Sequence, residues 1–311
     1  MKYFYFKKQY DIMWEIIYLL RNIRKKIRRC KMKNLGYYNG RYDEIENMSI
    51  PMTDRVCFFG DGVYDATYSR NYKIFSLDEH IDRFYNSAEF LEIKLPFSKE
   101  EMKEILCDLV GKMDTGENFV YFQATRGSNS VRSHVFSEEI KANIWINIYH
   151  KEILDLTKRV QLITMEDTRF LHCNIKTLNL IPSVMASQRA KEAGCFETVF
   201  HRNGRVTECA HSNVHIIKDG KLITAPADNL ILPGIARKHI IEACKKMNVA
   251  VLEEPYYLED LFDADEVLVS SAGALCLAAD NIDGKPVGKK EAELVEKLQK
   301  TLLDDFLSQT N

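Results

Sequence analysis

The sequence predicts an α+β protein of two domains, on three observations. Strand-like alternations of apolar residues occur beside helix-like spacings in both halves of the chain. With 311 residues, the chain is longer than one hydrophobic core normally serves. A short polar stretch at 151–158 interrupts the pattern. We therefore expect a small α+β domain at 32–150, a linker at 151–158 and a large α+β domain at 159–311, with a ligand site in the cleft between the domains.

The first half is expected to be built on an antiparallel sheet. Asn39-Gly40 divides NLGYYNGRY into a hairpin, and Arg70-Asn71 does the same for YSRNYKIFSL. A helix is predicted to begin at Ser76–Asp78, and Ser98 opens a capping box before a second helix at 99–113. The segments NFVYFQATRG and ANIWINIYH complete this half as predicted strands.

The second half is expected to alternate strands, hairpins and helices. The strand RVQLITM precedes a helix at Ile181–Ala193, which Gly194 ends. Asn203-Gly204 and Asp219-Gly220 mark two hairpins. A helix follows Pro233-Gly234, the segments VAVLEEP and DEVLVSS are predicted strands, and a final helix covers about 289–307.

Composition and charge narrow the class of protein. With a net charge of −2, the chain has no overall positive electrostatic field that would favour the binding of nucleic acid. The eight cysteines are scattered singly, without a CxxC pair, which is typical of a reduced, cytoplasmic protein without disulfides or a zinc ribbon. No metal site is expected from the spacing of the histidines.

Residues 1–31 differ from the rest of the chain. They are rich in Lys and Arg, with only Asp11 and Glu15 as acidic residues. The apolar run Ile12–Leu20 carries Glu15 and is too short to span a bilayer. Two interpretations remain open: a frayed extension ahead of a natural start at Met32, or an amphipathic helix that contacts an anionic membrane surface.

Lys176, within LHCNIKTLNL, is the main candidate for chemistry. Its neighbours Ile175 and Leu178 suggest a stem held in apolar surroundings. Such surroundings favour the neutral amine, which can attack a carbonyl and form a Schiff base. The alternative is a surface lysine whose head group reaches water.

Two further segments carry candidate ligand-binding groups. In TRGSNSVRSH, Arg132 and His134 are two residues apart and would project from one face of an extended segment. Arginine suits the capture of a carboxylate, although an exposed loop would also carry such residues. Glu208 ends a predicted hairpin strand, where its carboxylate could hold a heteroaromatic nitrogen protonated or face solvent.

Two positions could bind an anion. Arg83 lies in a predicted helix, where it could pair with Asp82 or Glu79 at the surface or turn inward onto a phosphate. Gly234 stands at a helix start in ILPGIARKHI. Free N–H groups and the positive end of a helix dipole favour anions there, but a Pro-Gly before a helix is common.

Together these segments resemble the class IV (fold type IV) pyridoxal-phosphate aminotransferases, and among them the bacterial D-amino acid aminotransferases. The resemblance is carried, in the family's order from about residue 36 to 290, by DRVCFFGDGVYD, DEHIDRFYNSAEFL, VYFQATRG, RSH, CNIKTLNLIPSVMASQRAKEAGCFETVFHRNGRVTE, SNV, ILPGIARK and DEVLVSS. It implies a two-domain α+β fold of type IV, with the cofactor pyridoxal 5'-phosphate in the cleft between the domains.

The resemblance also implies roles for individual residues. Lys176 would form the Schiff base with the cofactor and shuttle a proton, and Glu208 would bond the pyridinium nitrogen. The phosphate would be held by Arg83, Ile235, Ala236, Ser271 and Ala272. Tyr64 would lie against the cofactor, and Tyr64, Arg132 and His134 would grip the substrate α-carboxylate. The chain departs from the pattern at Ala236 and Ala272, where relatives often have a side-chain hydroxyl. It also departs at His211, which stands at a position suited to a small polar residue.

The activity implied is transamination of D-amino acids such as D-alanine, with a 2-oxo acid acceptor such as 2-oxoglutarate and ping-pong kinetics. The alternatives within the same fold are a branched-chain L-amino acid aminotransferase and a 4-amino-4-deoxychorismate lyase. Both would share Lys176 and Glu208, whereas the pair Arg132 and His134 belongs to the D-specific pattern. A homodimer is implied, in which the partner chain often completes the site.

Overall fold

The computed structural model describes residues 31–311. The basic N-terminal segment, apart from Lys31, lies outside the described residues, and the two interpretations of this segment therefore concern residues that are not described. Within 31–311, no helix is long and apolar enough to cross a membrane.

The strands of the first half form a six-stranded antiparallel sheet, in the order β2-β1-β6-β5-β3-β4. They are β1 (Asn34–Tyr38), β2 (Arg41–Asp43), β3 (Gly62–Arg70), β4 (Lys73–Ile74), β5 (Asn118–Thr125) and β6 (Asn143–His150). The helices of this half are α1 (Val56–Phe59), α2 (Leu77–Phe90) and α3 (Lys99–Gly111), and a 3-10 turn covers Ile45–Asn47. Phe84, Phe122 and Ile146 are part of the core between the sheet and these helices.

Most predictions for this half are confirmed. Asn39 and Gly40 have the positive φ values of 47° and 94° that the hairpin requires. The second turn falls one residue later than predicted, at Asn71-Tyr72, where both residues have positive φ. The capping box is present at Ser98, and α3 ends at Gly111, two residues before the predicted end. The four-residue helix α1 was not predicted, because it is too short to show a helical period.

The strands of the second half form a nine-stranded mixed sheet, in the order β12-β11-β10-β13-β14-β7-β8-β9, with β15 paired to β14. They are β7 (Val160–Glu166), β8 (Glu197–Arg202), β9 (Arg205–Cys209), β10 (Asn213–Lys218), β11 (Lys221–Thr224), β12 (Val251–Glu253), β13 (Glu266–Ser270), β14 (Leu277–Ile282) and β15 (Lys285–Pro286). The helices are α4 (Ile181–Glu192), α5 (Ile235–Lys246), α6 (Leu258–Asp263) and α7 (Ala292–Gln309). Of these elements, β14, β15 and α6 were not predicted.

The two halves join through backbone hydrogen bonds. The Tyr64 N–H in β3 donates to the Lys176 carbonyl at 2.9 Å, and the Leu178 N–H donates to the Gly62 carbonyl at 3.1 Å. The predicted linker is packed, since Leu156 is buried in the core of the second half. The lysine-bearing segment thus lies along the end of a strand in the first sheet. The predicted domain boundaries stay a prediction.

Candidate functional site

A cavity of about 450 Å³ lies where the two halves meet. Eight of the candidate residues line it: Tyr64, Arg83, Lys176, Glu208, Ile235, Ala236, Ser271 and Ala272. Arg132 and His134 do not line it. The fold therefore brings together residues separated by more than 200 positions, as the resemblance implies for the cofactor.

Lys176 presents its amine to this cavity. Its Nζ atom lies 3.4 Å from the Tyr64 hydroxyl oxygen and 4.4 Å from the centre of the Tyr64 ring. Its backbone N–H donates to the Ser87 hydroxyl at 3.2 Å, and the neighbouring Ile175 is buried. Of the two interpretations open from the sequence, this geometry supports a pocket amine.

Glu208 lies in the cavity wall and accepts three hydrogen bonds. Arg169 Nη1 donates to Oε1 at 2.5 Å, while Asn213 Nδ2 and the Leu232 N–H donate to Oε2 at 3.0 and 2.9 Å. Burial raises the pKa of Glu208 to about 7, whereas Arg169 favours the ionised form. A carboxylate held only by donors can accept one more N–H from the cavity, such as that of a protonated ring nitrogen.

Arg83 turns inward, and its partner is a residue that the sequence analysis missed. Its Nε and Nη2 donate to the two carboxylate oxygens of Asp65, each at 2.8 Å, and His80 Nδ1 lies 2.7 Å from Oδ1. Although burial alone would raise it, Arg83 and His80 hold the pKa of Asp65 well below its usual range. Neither Asp82 nor Glu79 holds Arg83. A lone aspartate in an otherwise strand-like segment is the signal that could have indicated this partner.

The start of α5 forms the second part of an anion site. Helix α5 begins at Ile235 after Gly234, so the first-turn N–H groups of Ile235 and Ala236 have no partner within the helix. A Cβ atom added to Gly234 would clash with Asn213 Oδ1, which explains the glycine. Ser271 follows β13 on the cavity wall.

These groups fit pyridoxal phosphate in their chemistry. A guanidinium, the free N–H groups of a helix start and a hydroxyl are phosphate-binding groups. A buried carboxylate suits a protonated ring nitrogen, and an amine suits a carbonyl. Because Ala236 and Ala272 carry no hydroxyl, the groups available to a phosphate in this cavity are the Arg83 guanidinium, the Ser271 hydroxyl and the backbone N–H groups.

Arg132 and His134 lie on the exposed loop between β5 and β6. The Arg132 guanidinium lies 4.9 Å from the centre of the Phe59 ring, and the His134 ring lies 5.0 Å from it. Arg55 holds this loop by donating to the carbonyls of Ser133 and His134 at 2.6 and 3.0 Å. Both side chains contact the Phe59 ring, but within a single chain they do not join Tyr64 in the cavity.

The histidines do not form a metal site among residues 31–311, where no group of three or more His, Cys, Asp or Glu residues could hold a metal. His211 and His215 are four residues apart, a spacing that places ligands together on a helix, but here they lie in a turn and a strand. His215 is buried between the hydroxyls of Thr224 and Ser270. His211 instead lies 2.5 Å from the buried carboxylate of Glu197.

Comparison of the sequence with known proteins gives a consistent result. The profile of the family described as amino-transferase class IV matches residues 62–282. A D-alanine aminotransferase of Listeria monocytogenes (serotype 1/2a) is 38% identical over 273 residues, which cover 86% of this chain and 94% of the relative. A D-alanine aminotransferase of Bacillus licheniformis is 35% identical over 276 residues, which cover 88% of this chain and 97% of the relative.

Solved structures with the same fold include branched-chain amino acid aminotransferases. The enzyme from the archaeon Thermoproteus uzoniensis, determined with norvaline, matches with a TM-score of 0.78 and 21% identity, covering 87% of this chain and 95% of that one. The Escherichia coli enzyme matches with a TM-score of 0.81 and 21% identity, and the match covers 90% of this chain and 96% of that one. At these identities the likeness concerns the fold.

Proposed function

The chain belongs to the class IV aminotransferases, which depend on pyridoxal phosphate, and on that premise we propose that it transaminates D-amino acids. D-alanine is the proposed donor and 2-oxoglutarate the proposed acceptor. The observation that carries the reaction type is the amine of Lys176 beside the Tyr64 hydroxyl, in one cavity with the buried carboxylate of Glu208. The similarity to enzymes named D-alanine aminotransferase supports the choice of substrate.

The residues of the cavity have separate roles in the proposed reaction. When bound, pyridoxal phosphate supplies a sink for the electron pair left at the substrate Cα when its proton is removed. Lys176 Nζ is the base that takes this proton and returns it, and Tyr64 orients the amine. Glu208 would accept the N–H of the cofactor ring. Arg83, Ser271, Ala272 and the N–H groups of Ile235 and Ala236 would hold the phosphate.

Transamination then proceeds as two half-reactions. In the first, the D-amino acid would lose its amino group and leave as a 2-oxo acid, and bound pyridoxal phosphate would supply the carrier for that group. In the second, the acceptor 2-oxo acid would take up the amino group and leave as a new amino acid. The first product leaves before the second substrate binds, so parallel lines are expected in double-reciprocal plots.

We assign Arg132 and His134 to the cavity of a second copy in a homodimer. Both side chains are exposed and share the Phe59 ring, outside the cavity of their own chain. Arg55 holds their backbone, so the loop offers a fixed pair of groups to a neighbouring chain. A guanidinium beside an imidazole suits the α-carboxylate of a substrate.

The substrate is tested by steady-state rates with D-alanine and with L-leucine, each with 2-oxoglutarate. We expect kcat/KM for D-alanine to exceed that for L-leucine by at least about a hundredfold, because a misplaced carboxylate leaves its binding groups unpaired. Lys176→Ala is the control for background turnover. A preference for L-leucine would reassign the chain to the branched-chain enzymes, and pyruvate release from 4-amino-4-deoxychorismate would reassign it to the lyases.

The assignment to a second copy is tested by mixing two inactive variants, Arg132→Leu and Lys176→Ala, under conditions that exchange subunits. In a mixed dimer one site would contain Lys176 from one chain and Arg132 from the other. Random exchange should restore about a quarter of the wild-type activity, since half of the dimers are mixed and each has one intact site. Activity no higher than the sum of the two parents would refute the assignment.

A further inference from the structure

Arg169 is the charged residue in direct contact with Glu208, and the mechanism above gives it no role. It follows β7 and lines the cavity. Its Nη1 atom lies 2.5 Å from Glu208 Oε1, whereas the other two donors to that carboxylate, Asn213 and the Leu232 N–H, are neutral. A buried carboxylate with only neutral donors tends to take up a proton.

The position of Arg169 is set by contacts on every side. Its Nε and Nη2 donate to the two oxygens of Asp167, each at 2.9 Å. Arg202 donates to Asp167 at 3.1 Å and to the Arg169 carbonyl at 2.7 Å. The Phe200 ring centre lies 4.8 Å from the guanidinium carbon. These contacts leave Nη1 free to donate to Glu208.

We infer that Arg169 is a positioning residue that fixes the orientation of Glu208 and keeps its carboxylate ionised, so that the proton shared with the cofactor ring stays on the ring nitrogen. The inference rests on the proposed role of Glu208. The shared proton can lie on the ring nitrogen, which leaves a carboxylate, or on Glu208, which leaves a neutral ring. A positive charge beside Glu208 stabilises the carboxylate and so favours the first of these two states. Only the protonated ring is an effective electron sink.

The other titratable groups around Glu208 have weaker effects. Lys176, across the cavity, favours the ionised form of Glu208. Cys173 and Cys209 lie nearby, and burial raises the pKa of each, which keeps both as neutral thiols. Asp167 faces Arg169 and balances part of its charge. Removal of Arg169 would therefore leave Glu208 without a contacting cation among residues 31–311.

The test compares Arg169→Met and Arg169→Lys with the wild-type full chain. The ionisation of Glu208 is followed by the carboxyl carbon resonance of labelled glutamate, assigned by its absence in Glu208→Gln. In Arg169→Met we expect the titration of Glu208 to move up by about one to two pH units, and in Arg169→Lys by less. In protein loaded with 15N-labelled pyridoxal phosphate, the ring nitrogen resonance should move toward the unprotonated value in Arg169→Met.

Arg159→Met is the matched control. Arg159 donates to the fully buried Glu266 at 2.7 Å, outside the cavity, so its loss removes a similar ion pair without touching Glu208. Both readouts should match the wild type in this control. An unchanged titration of Glu208 in Arg169→Met would overturn the inference; should that variant not fold, an unchanged titration in the neutral, polar variant Arg169→Gln would do so. The carboxyl titration needs no substrate, so its failure is distinct from a lack of activity with D-alanine.

Discussion

The Nζ atom of Lys176 lies 3.4 Å from the hydroxyl oxygen of Tyr64, and the Tyr64 N–H donates to the Lys176 carbonyl at 2.9 Å. Side chain and backbone thus join the two residues across the junction of the two halves. The Tyr64 ring also stacks on Tyr121, with 5.5 Å between the ring centres. The orientation of the amine is therefore fixed from the opposite sheet.

Removal of the Tyr64 hydroxyl should slow the reaction without releasing the cofactor. In Tyr64→Phe we expect kcat to fall about ten- to a hundredfold, the effect of one hydrogen bond to a charged or reacting group. Cofactor content, measured by absorbance after gel filtration, should stay at the wild-type level. Tyr42→Phe, at an exposed tyrosine, serves as the control. An unchanged kcat would show that the hydroxyl does not orient the amine.

Loss of the Arg83 charge should weaken cofactor binding. In Arg83→Gln the phosphate loses a charged donor and Asp65 loses its main partner, so we expect the dissociation constant for pyridoxal phosphate to rise about ten- to a hundredfold. Fluorescence titration of the cofactor-free protein measures this constant. Arg189→Gln, on the exposed face of α4, should leave it unchanged. Equal affinity in wild type and Arg83→Gln would exclude Arg83 from the phosphate site.

Gly234 is expected to tolerate no side chain. In Gly234→Ala the new Cβ would clash with Asn213 Oδ1, so Asn213 must move and its hydrogen bond to Glu208 is broken. We expect loss of cofactor retention and a lower melting temperature. Gly111→Ala is the control, since no atom of the described part of the chain, residues 31–311, lies within 4 Å of its added Cβ. That change should be neutral or stabilise by up to about 1 kcal/mol. Similar behaviour of the two variants would contradict the close approach.

His215 should make the second sheet sensitive to acid. Burial lowers its pKa to about 3 in the folded protein, against about 6.5 when unfolded. The unfolded chain therefore binds a proton that the folded chain does not, and the free energy of unfolding should fall by about 1.4 kcal/mol per unit as the pH drops from about 6.5 towards 3. Above about pH 6.5 this contribution is constant.

Urea unfolding at several pH values measures this dependence. His215→Gln should have a shallower slope than the wild type below pH 6.5, because glutamine does not titrate there. His150→Gln, at an exposed histidine, is the control for the exchange of a histidine for a glutamine. Parallel slopes in wild type and His215→Gln would mean that His215 titrates normally in the folded protein.

Sequence patterns predicted the elements whose signals are local. The hairpin at Asn39-Gly40, the capping box at Ser98 and the glycine after α4 depend on a few neighbouring residues, and all three are confirmed. The family could also be predicted, because its segments keep their order along the chain. Strand β14 was missed since its alanines lack the bulk of a typical strand.

The partners of the site residues could not be predicted, because they come from distant parts of the chain. Arg169 meets Glu208 across 39 positions, and Asp65 meets Arg83 between a strand and a helix. Spacing alone carries no information about such contacts. The placement of Arg132 and His134 shows the same limit: the sequence predicts that they lie together, but not that the fold places them outside the cavity of their own chain.

The proposed cofactor and substrate are tested together by the absorption spectrum of the purified, full-length protein before and after addition of D-alanine, with L-leucine added to a separate sample. We expect a visible band from bound pyridoxal phosphate that falls with D-alanine and persists with L-leucine, and that is absent in Lys176→Ala. A band that responds only to L-leucine would contradict the proposed substrate. No band after incubation with the cofactor would contradict the assignment of the cavity itself.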